Sequence, residues 1–310
     1  MCSVDKASWL EVSLQVTPEQ AEAVAEVLGR FTPEGVVVEQ LAKQNADPET
    51  HMEPLVKVSG YLFADAHLEE KKQRLEEALF YLGRIQPLPD PVFKRIQDEN
   101  WMTAWKDQYK PLKLGGNLAI LPAWADNPYP ERIAIRINPG MAFGTGTHPT
   151  TQLCLEMMEY RIAPGMDVID VGCGSGILSI AAVLLGAGHA YGTDISAAAV
   201  QSSRENAELN HVSQKVSFML GSVGDITSGS FGVAIAPLVI VNILATIIMR
   251  LFDENLGDLV SEEGGLILSG ILDQQAPDVL QKAQHAGFSL VEKREIEDWV
   301  GLYFNKKAKK

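Results

Sequence analysis

Residues 9–17, WLEVSLQVT, alternate apolar and polar positions with a period of two, which predicts a strand. Thr17 stands where a helix cap belongs, and PEQAEAVAEVLGRF then repeats its apolar residues at helical spacing. GVVVEQLA and LVKVSGYLF return to strand patterning, and HLEEKKQRLEEALFYLG reads as an amphipathic, heavily charged helix. This alternation predicts a small α+β domain, ferredoxin-like, over residues 1–90. The stretch PLPDPVFKRIQDENWMTAWKDQYKP opens with prolines and then turns helical, which predicts a linker with a short helix over 91–112. Trp101 and Trp105 fall on one face of that helix and read as its anchor to a domain. NLAILPAW and ERIAIRI follow as two short strands expected to form a hairpin covering the next domain.

From residue 113 to 310 the pattern is that of an α/β domain. In DVIDVGCGSGILSI, Asp167 to Ile180, a β-branched apolar run breaks into Gly172, Gly174 and Gly176 and an apolar helix-like segment starts at once: strand, tight turn, helix. AYGTDIS predicts a second strand ending at Asp194. FGVAIAPLVIVNILATIIM, Phe231 to Met249, has no charge and is long enough to span a bilayer, but Pro237 and Asn242 interrupt it and no basic flank precedes it. It is therefore expected to be a buried parallel strand followed by a helix, with the start of the strand around Pro237 left open. The fold expected is Rossmann-like, a doubly wound and mostly parallel sheet, preceded by the ferredoxin-like domain.

The glycine spacing narrows the chemistry. A dinucleotide fingerprint needs G-x-G-x-x-G, whereas here the third glycine comes one position early and Asp170 lies two residues before the first. A carboxylate there repels a pyrophosphate and attracts a cation, which suits S-adenosylmethionine with its sulfonium and α-amino charges. Asp194, at the end of the second strand, is placed to accept the two hydroxyls of an adenosine ribose; alone it would read as a helix cap. Asn242 follows an apolar run, and its amide can accept from an amine N–H and so aim the nitrogen lone pair at a methyl group, against capping as the plain alternative. Phe143, Gly144, Thr145, Gly146 and Thr147 combine an aromatic ring, glycines and hydroxyls in a loop suited to cover a flat ring. His148, beside Pro149, reads as a capping or backbone-bonding residue in preference to a general base.

Composition sets the limits. The chain of 310 residues is 46% hydrophobic and 21% charged, enough for real cores in two domains. Its net charge of −14 and pI near 4.9 argue against a nucleic-acid backbone as direct partner and favour a basic one. Cys2, Cys154 and Cys173 make no disulfide framework or zinc site, and MCSVDKASWL lacks a secretory pattern, so a reducing cytoplasmic setting is expected, with no membrane partner and no metal.

Taken together, ENWMTAWKDQYKPLKLG, NPGMAFGTGTHPTTQLCLE, DVIDVGCGSGILSIAA, GTDI, VNILA and LILSGIL resemble the ribosomal protein L-eleven methyltransferase (PrmA) family. The glycine turn is shared by most Rossmann-like methyltransferases, but AFGTGTHPTT is specific to that family. The resemblance implies methylation by S-adenosylmethionine of lysine side chains and the N-terminal amine of a large-subunit ribosomal protein, which the first domain docks. It also implies that Phe143, Thr145 and Thr151 contact the cofactor together with Asp170, Gly172, Gly174, Gly176, Asp194 and Asn242, with Asn242 in the catalytic role. The rival readings are a nicotinamide oxidoreductase, a ribosomal-protein escort without chemistry, and a methyltransferase for another amide or a small amine. VNILA departs from the N-P-P-Y form of amide and adenine methyltransferases, which favours amines.

Overall fold

The computed structural model describes residues 9–32, 36–40, 55–65, 67–96, 109–138 and 146–308. Contacts among them divide into two compact units that change over between Tyr109 and Lys110.

In the first unit β1 (Trp9–Val16) leads through Thr17 into α1 (Pro18–Gly29), then β2 (Val36–Gln40), β3 (Val56–Phe63), α2 (Leu68–Ile85) and β4 (Val92–Ile96). Thr17 starts α1 with a reciprocal cap: its hydroxyl accepts from Gln20 N at 3.3 Å and the Gln20 side chain accepts from Thr17 N at 3.1 Å. Leu10, Val12, Leu14 and Val16 all point to one face of β1 and pack with Val24, Leu28, Leu75 and Leu79 of the two helices. The sheet order is β2-β3-β1-β4 with antiparallel neighbours, the ferredoxin-like arrangement. Strand β4 corrects the expectation of a linker from residue 91. The prolines before it do follow the end of helix α2, but VFKRI then finds the open edge of β1, whose backbone groups it pairs, with Lys94 opposite Glu11. The predicted linker helix, with Trp101 and Trp105, lies outside the described residues.

The second unit opens with a three-stranded sheet, β5 (Leu112–Leu114), β6 (Leu118–Pro122) and β7 (Ile133–Ile137). The hairpin expected for the last two is not formed: β6 and β7 run parallel, and the antiparallel partner of β6 is β5. The connection after Pro122 carries the chain back past the start of β6, where Ile133 N bonds to Asn117 O at 2.8 Å and the Arg132 guanidinium bonds to the carbonyls of Leu114, Gly115 and Leu118. These bonds begin β7 beside the beginning of β6 and so dictate the parallel pairing.

The main sheet follows from α3 (Pro149–Glu159), β8 (Asp167–Val171), α4 (Ile177–Leu184), β9 (His189–Asp194), α5 (Ala197–Leu209), β10 (Val216–Leu220), α6 (Val223–Thr227), β11 (Ala236–Asn242), α7 (Ala245–Asp253), β12 (Val260–Leu272), α8 (Ala276–His285), β13 (Phe288–Ile296) and β14 (Trp299–Lys306). Its order is β10-β9-β8-β11-β12-β14-β13, parallel from β10 to β12, with β14 antiparallel to both neighbours. Both faces are covered: Val168, Leu238 and Ile240 belong to one apolar core, and Ile169, Val239 and Val241 to the other. That explains why these strands read as unbroken apolar runs. The segment from Phe231 to Met249 is accordingly strand β11 and helix α7, and no helix among the described residues is long and apolar enough to cross a membrane. Pro237 sits in an irregular register between Ala236 and Leu238, where its missing N–H is tolerated. The strand order turns back between β8 and β11, the place where open α/β sheets bind ligands beyond the carboxyl ends of their strands.

Candidate active site

The turn after β8 is glycine-built because its backbone is left-handed at Gly172, Gly174 and Gly176, with φ of 75°, 53° and 78°. At Gly172 space forbids a side chain as well, since a Cβ would lie 2.5 Å from Cγ2 of Ile243. Gly172 N and Cys173 N both bond to Thr193 O, at 2.8 and 2.9 Å, so the turn is fastened to β9.

Asp170 is fully buried on β8, and its Oδ2 accepts from Ser179 N at 3.1 Å and from Ser179 Oγ at 2.7 Å. The carboxylate thus serves the first turn of α4, whose own cap position is a glycine with no side chain to offer. Its other oxygen, Oδ1, is buried without a partner among the described residues. Burial pushes the carboxyl up to about 7, against the two bonds from Ser179, and nearby Asp194 adds to the rise.

Asp194 ends β9 half-buried, with Oδ2 accepting from Gly174 N at 2.9 Å and Oδ1 from Ser196 N at 2.8 Å. It is not the cap of α5: that role belongs to Ser196, whose hydroxyl accepts from Ala199 N. Ile195 and Leu220 flank it, and the first is 78% and the second 55% exposed. Leu220 pairs directly across from Asp194 in the β9–β10 register. The sequence reading missed both; the signal was a large apolar residue at a strand end in place of a turn former. Two exposed apolar side chains beside a carboxylate suit a flat ring joined to a diol.

Asn242 ends β11 at 8% exposure. Asp170 pairs with Ile240 in the β8–β11 register, so Asn242 lies two residues further along the same face. Its Nδ2 donates to Oγ1 of Thr151, fully buried on α3, at 3.3 Å, and its Oδ1 is buried with no partner among the described residues. Capping does not account for it, because α7 begins only at Ala245 with Leu244 as its cap. An orphaned buried acceptor costs stability unless something else bonds it. The next turn is crowded: a Cβ on Gly270, at φ 83°, would collide with the carbonyl of Ile243.

His148 caps α3, its Nδ1 accepting from Thr150 N at 3.3 Å, and its ring packs edge-on to Trp299 at 4.9 Å. Burial holds the imidazole down at about 4, with Glu297 pulling weakly the other way. Above pH 6.5 the ring is neutral both folded and unfolded; between pH 6.5 and 4 only the unfolded chain takes up the proton, so stability falls with acidification by about 3 kcal/mol. Chemical denaturation at pH 7 and pH 4.5 is expected to show this loss in the native protein and a smaller one in His148→Asn, which keeps a cap without the titration; equal losses in both would move the acid sensitivity elsewhere. Phe143, Gly144 and Thr145 lie outside the described residues.

The glycine turn, Asp170, Asp194, Thr151 and Asn242 thus meet at the carboxyl ends of three adjacent strands. The family model described as "Ribosomal protein L11 methyltransferase (PrmA)" matches residues 8–307. A protein named ribosomal protein L11 methyltransferase from Chloroflexus aurantiacus is 36% identical, over 95% of this chain and 97% of that protein. One of the same name from Pelotomaculum thermopropionicum is 37% identical over 97% of this chain and 99% of its own, and one from Bacillus subtilis 35% identical over 96% and 99%. A crystal structure described as ribosomal protein L11 methylase from Lactobacillus delbrueckii subsp. bulgaricus aligns with a TM-score of 0.58 at 33% identity, covering 64% of this chain and 99% of that one. With a family model spanning nearly its whole length, the chain belongs to the ribosomal protein L11 methyltransferase family.

Proposed function

We propose that the protein transfers methyl groups from S-adenosylmethionine to amino groups, lysine side chains and the N-terminal amine, of ribosomal protein L11. The observation that carries this reading is the buried Oδ1 of Asn242, which has no partner among the described residues while Thr151 holds the Nδ2 end of the same amide, next to a glycine turn with a carboxylate on either side. The residues present fit the cofactor: Asp170 Oδ1 offers an unused acceptor to a cation, Asp194 suits the ribose hydroxyls, and Ile195 with Leu220 suits the adenine ring. When bound, S-adenosylmethionine supplies an activated methyl group.

The protein's own task is to present an unprotonated amine. A lysine of ordinary pKa near 10.4 loses its proton at pH 7 at a cost of about 4–5 kcal/mol, and an N-terminal amine at about 1 kcal/mol. Burial next to a positive charge lowers both costs, so no dedicated base is required. Asn242 Oδ1 accepts one amine N–H and thereby orients the lone pair. His148 caps α3 through Nδ1, and burial holds its imidazole at about 4, a weak base for an ammonium proton.

Binding a cation beside Asp170 converts its carboxyl, held at about 7, to the carboxylate. Cofactor affinity should therefore rise with pH up to about 7 and level off, with proton release below that pH. Calorimetry in two buffers of different ionisation enthalpy checks this, and identical heats in both at pH 6 would remove Asp170 from contact with the cation.

We further propose that the first domain, which strand β4 extends to Ile96, is the substrate-recognition domain, that the segment between β4 and β5 links it to the methyltransferase domain, and that the protein works in the cytoplasm. The net charge of −14 favours steering of a basic ribosomal protein toward it. Incubation with labelled S-adenosylmethionine and a ribosomal extract tests the whole reading. Label in L11, located by mass spectrometry at lysine and N-terminal nitrogens, is the expected result; label only in another protein or in small amines would replace the acceptor, and no label with tight NAD binding would overturn the activity.

A further inference from the structure

The turn between β8 and α4 leaves backbone carbonyls that neither the sheet nor the helix can use, and buried carbonyls need partners. Helix α5 supplies them. Ser203, fully buried, places its hydroxyl 2.8 Å from Gly174 O and 2.9 Å from Ala199 O of its own helix, and Asn206, 1% exposed, donates from Nδ2 to Ser175 O at 2.9 Å. The other end of the Asn206 amide accepts from Asn138 N at 2.9 Å, just beyond the end of β7. One turn later Asn210 bonds only backbone outside the glycine turn: its Oδ1 accepts from Arg136 N at 2.8 Å, and its Nδ2 donates to Arg136 O at 2.6 Å and to Asn206 O at 2.7 Å. An apolar face would seat α5 at lower desolvation cost, so polar groups here have a purpose beyond holding the helix in place.

We propose that Asn206 is a positioning residue for cofactor binding: it clamps the carbonyl side of the glycine turn to the end of β7, so that the amide side, already aligned on Asp194 through Gly174 N, faces the ligand in a preset geometry. Asn206 touches no cofactor. It removes the turn's freedom to relax, which a ligand would otherwise have to restrict on binding. The inference rests on the reading of the site as one for S-adenosylmethionine.

The test compares Asn206→Leu and Asn206→Ala with Asn210→Ala, which cuts bonds to β7 while leaving every bond to the turn intact. Expected for the Asn206 variants is a Kd and a KM for S-adenosylmethionine raised at least tenfold, with kcat at saturating cofactor and KM for L11 within about twofold of native. Asn210→Ala is expected to lower the melting temperature with cofactor Kd unchanged. Unchanged Kd in the Asn206 variants, a kcat loss without a KM change, or an equal Kd rise in Asn210→Ala would overturn the proposal. Should both Asn206 variants fail to fold, Asn206→Asp decides, since it keeps the oxygen that accepts from Asn138 N and loses the donor to Ser175 O: a raised Kd supports the clamp, and an unchanged Kd overturns it. Native protein that binds no S-adenosylmethionine would instead defeat the functional reading beneath it.

Discussion

Asn242→Ala is expected to lower kcat by about a hundredfold while changing the Kd for S-adenosylmethionine less than threefold. Among the described residues the side chain makes one bond, from Nδ2 to Thr151, and its buried Oδ1 has no partner, so its loss removes an acceptor needed only once the amine is in place. The alanine variant also loses the bond to the buried Thr151 hydroxyl, so a stability loss of about 1–2 kcal/mol is expected, small enough for thermal melts to separate the rate effect from unfolding. Single-turnover kinetics at saturating cofactor give the chemical rate directly. The opposite pattern, weak cofactor binding with a normal rate, would reassign Asn242 to the cofactor pocket.

Asp194→Ala is expected to weaken S-adenosylmethionine binding by at least a hundredfold. Two hydroxyl bonds to a charged acceptor account for about 3 kcal/mol or more, and the same carboxylate also holds the turn through Gly174 N and the start of α5 through Ser196 N. The loss should therefore exceed that from Ile195→Ala, which removes apolar contact alone. Calorimetric titration measures it. A Kd within threefold of native would mean that Asp194 has finished its work once it has bonded Gly174 and Ser196.

Much of this site is legible in the sequence. Gly172, Gly174 and Gly176 mark the turn because only glycine holds positive φ without penalty at successive alternate positions, and the turn follows a run whose β-branched residues favour a strand. Asp194 and Asn242 were visible as polar residues closing apolar runs. What escaped was of two kinds. Ile195 and Leu220 carry no polar signature, and only their exposure at a strand end distinguishes them from core residues. Strand β4 and the parallel pairing of β6 with β7 depend on partners: an open edge of β1 in one case, and in the other the bonds that start β7 beside Asn117. Proline punctuation and short strand spacing favoured a linker and a hairpin because those cues register local stops without reporting which edge is free.

The sequence by itself determined the strand, turn and helix, the absence of dinucleotide spacing and the acidic residue beside the turn, since each depends on residues a few positions apart. Only the tertiary structure decided that Asp170 is buried against Ser179 with one oxygen unused, that Thr151 reaches Asn242 across 91 positions, and that Asn206 joins Ser175 to Asn138. The physical reason is that hydrogen bonding and desolvation are set by distance in space, and a buried acceptor gains its pKa and its partner only when the sheet has brought remote segments to the same edge.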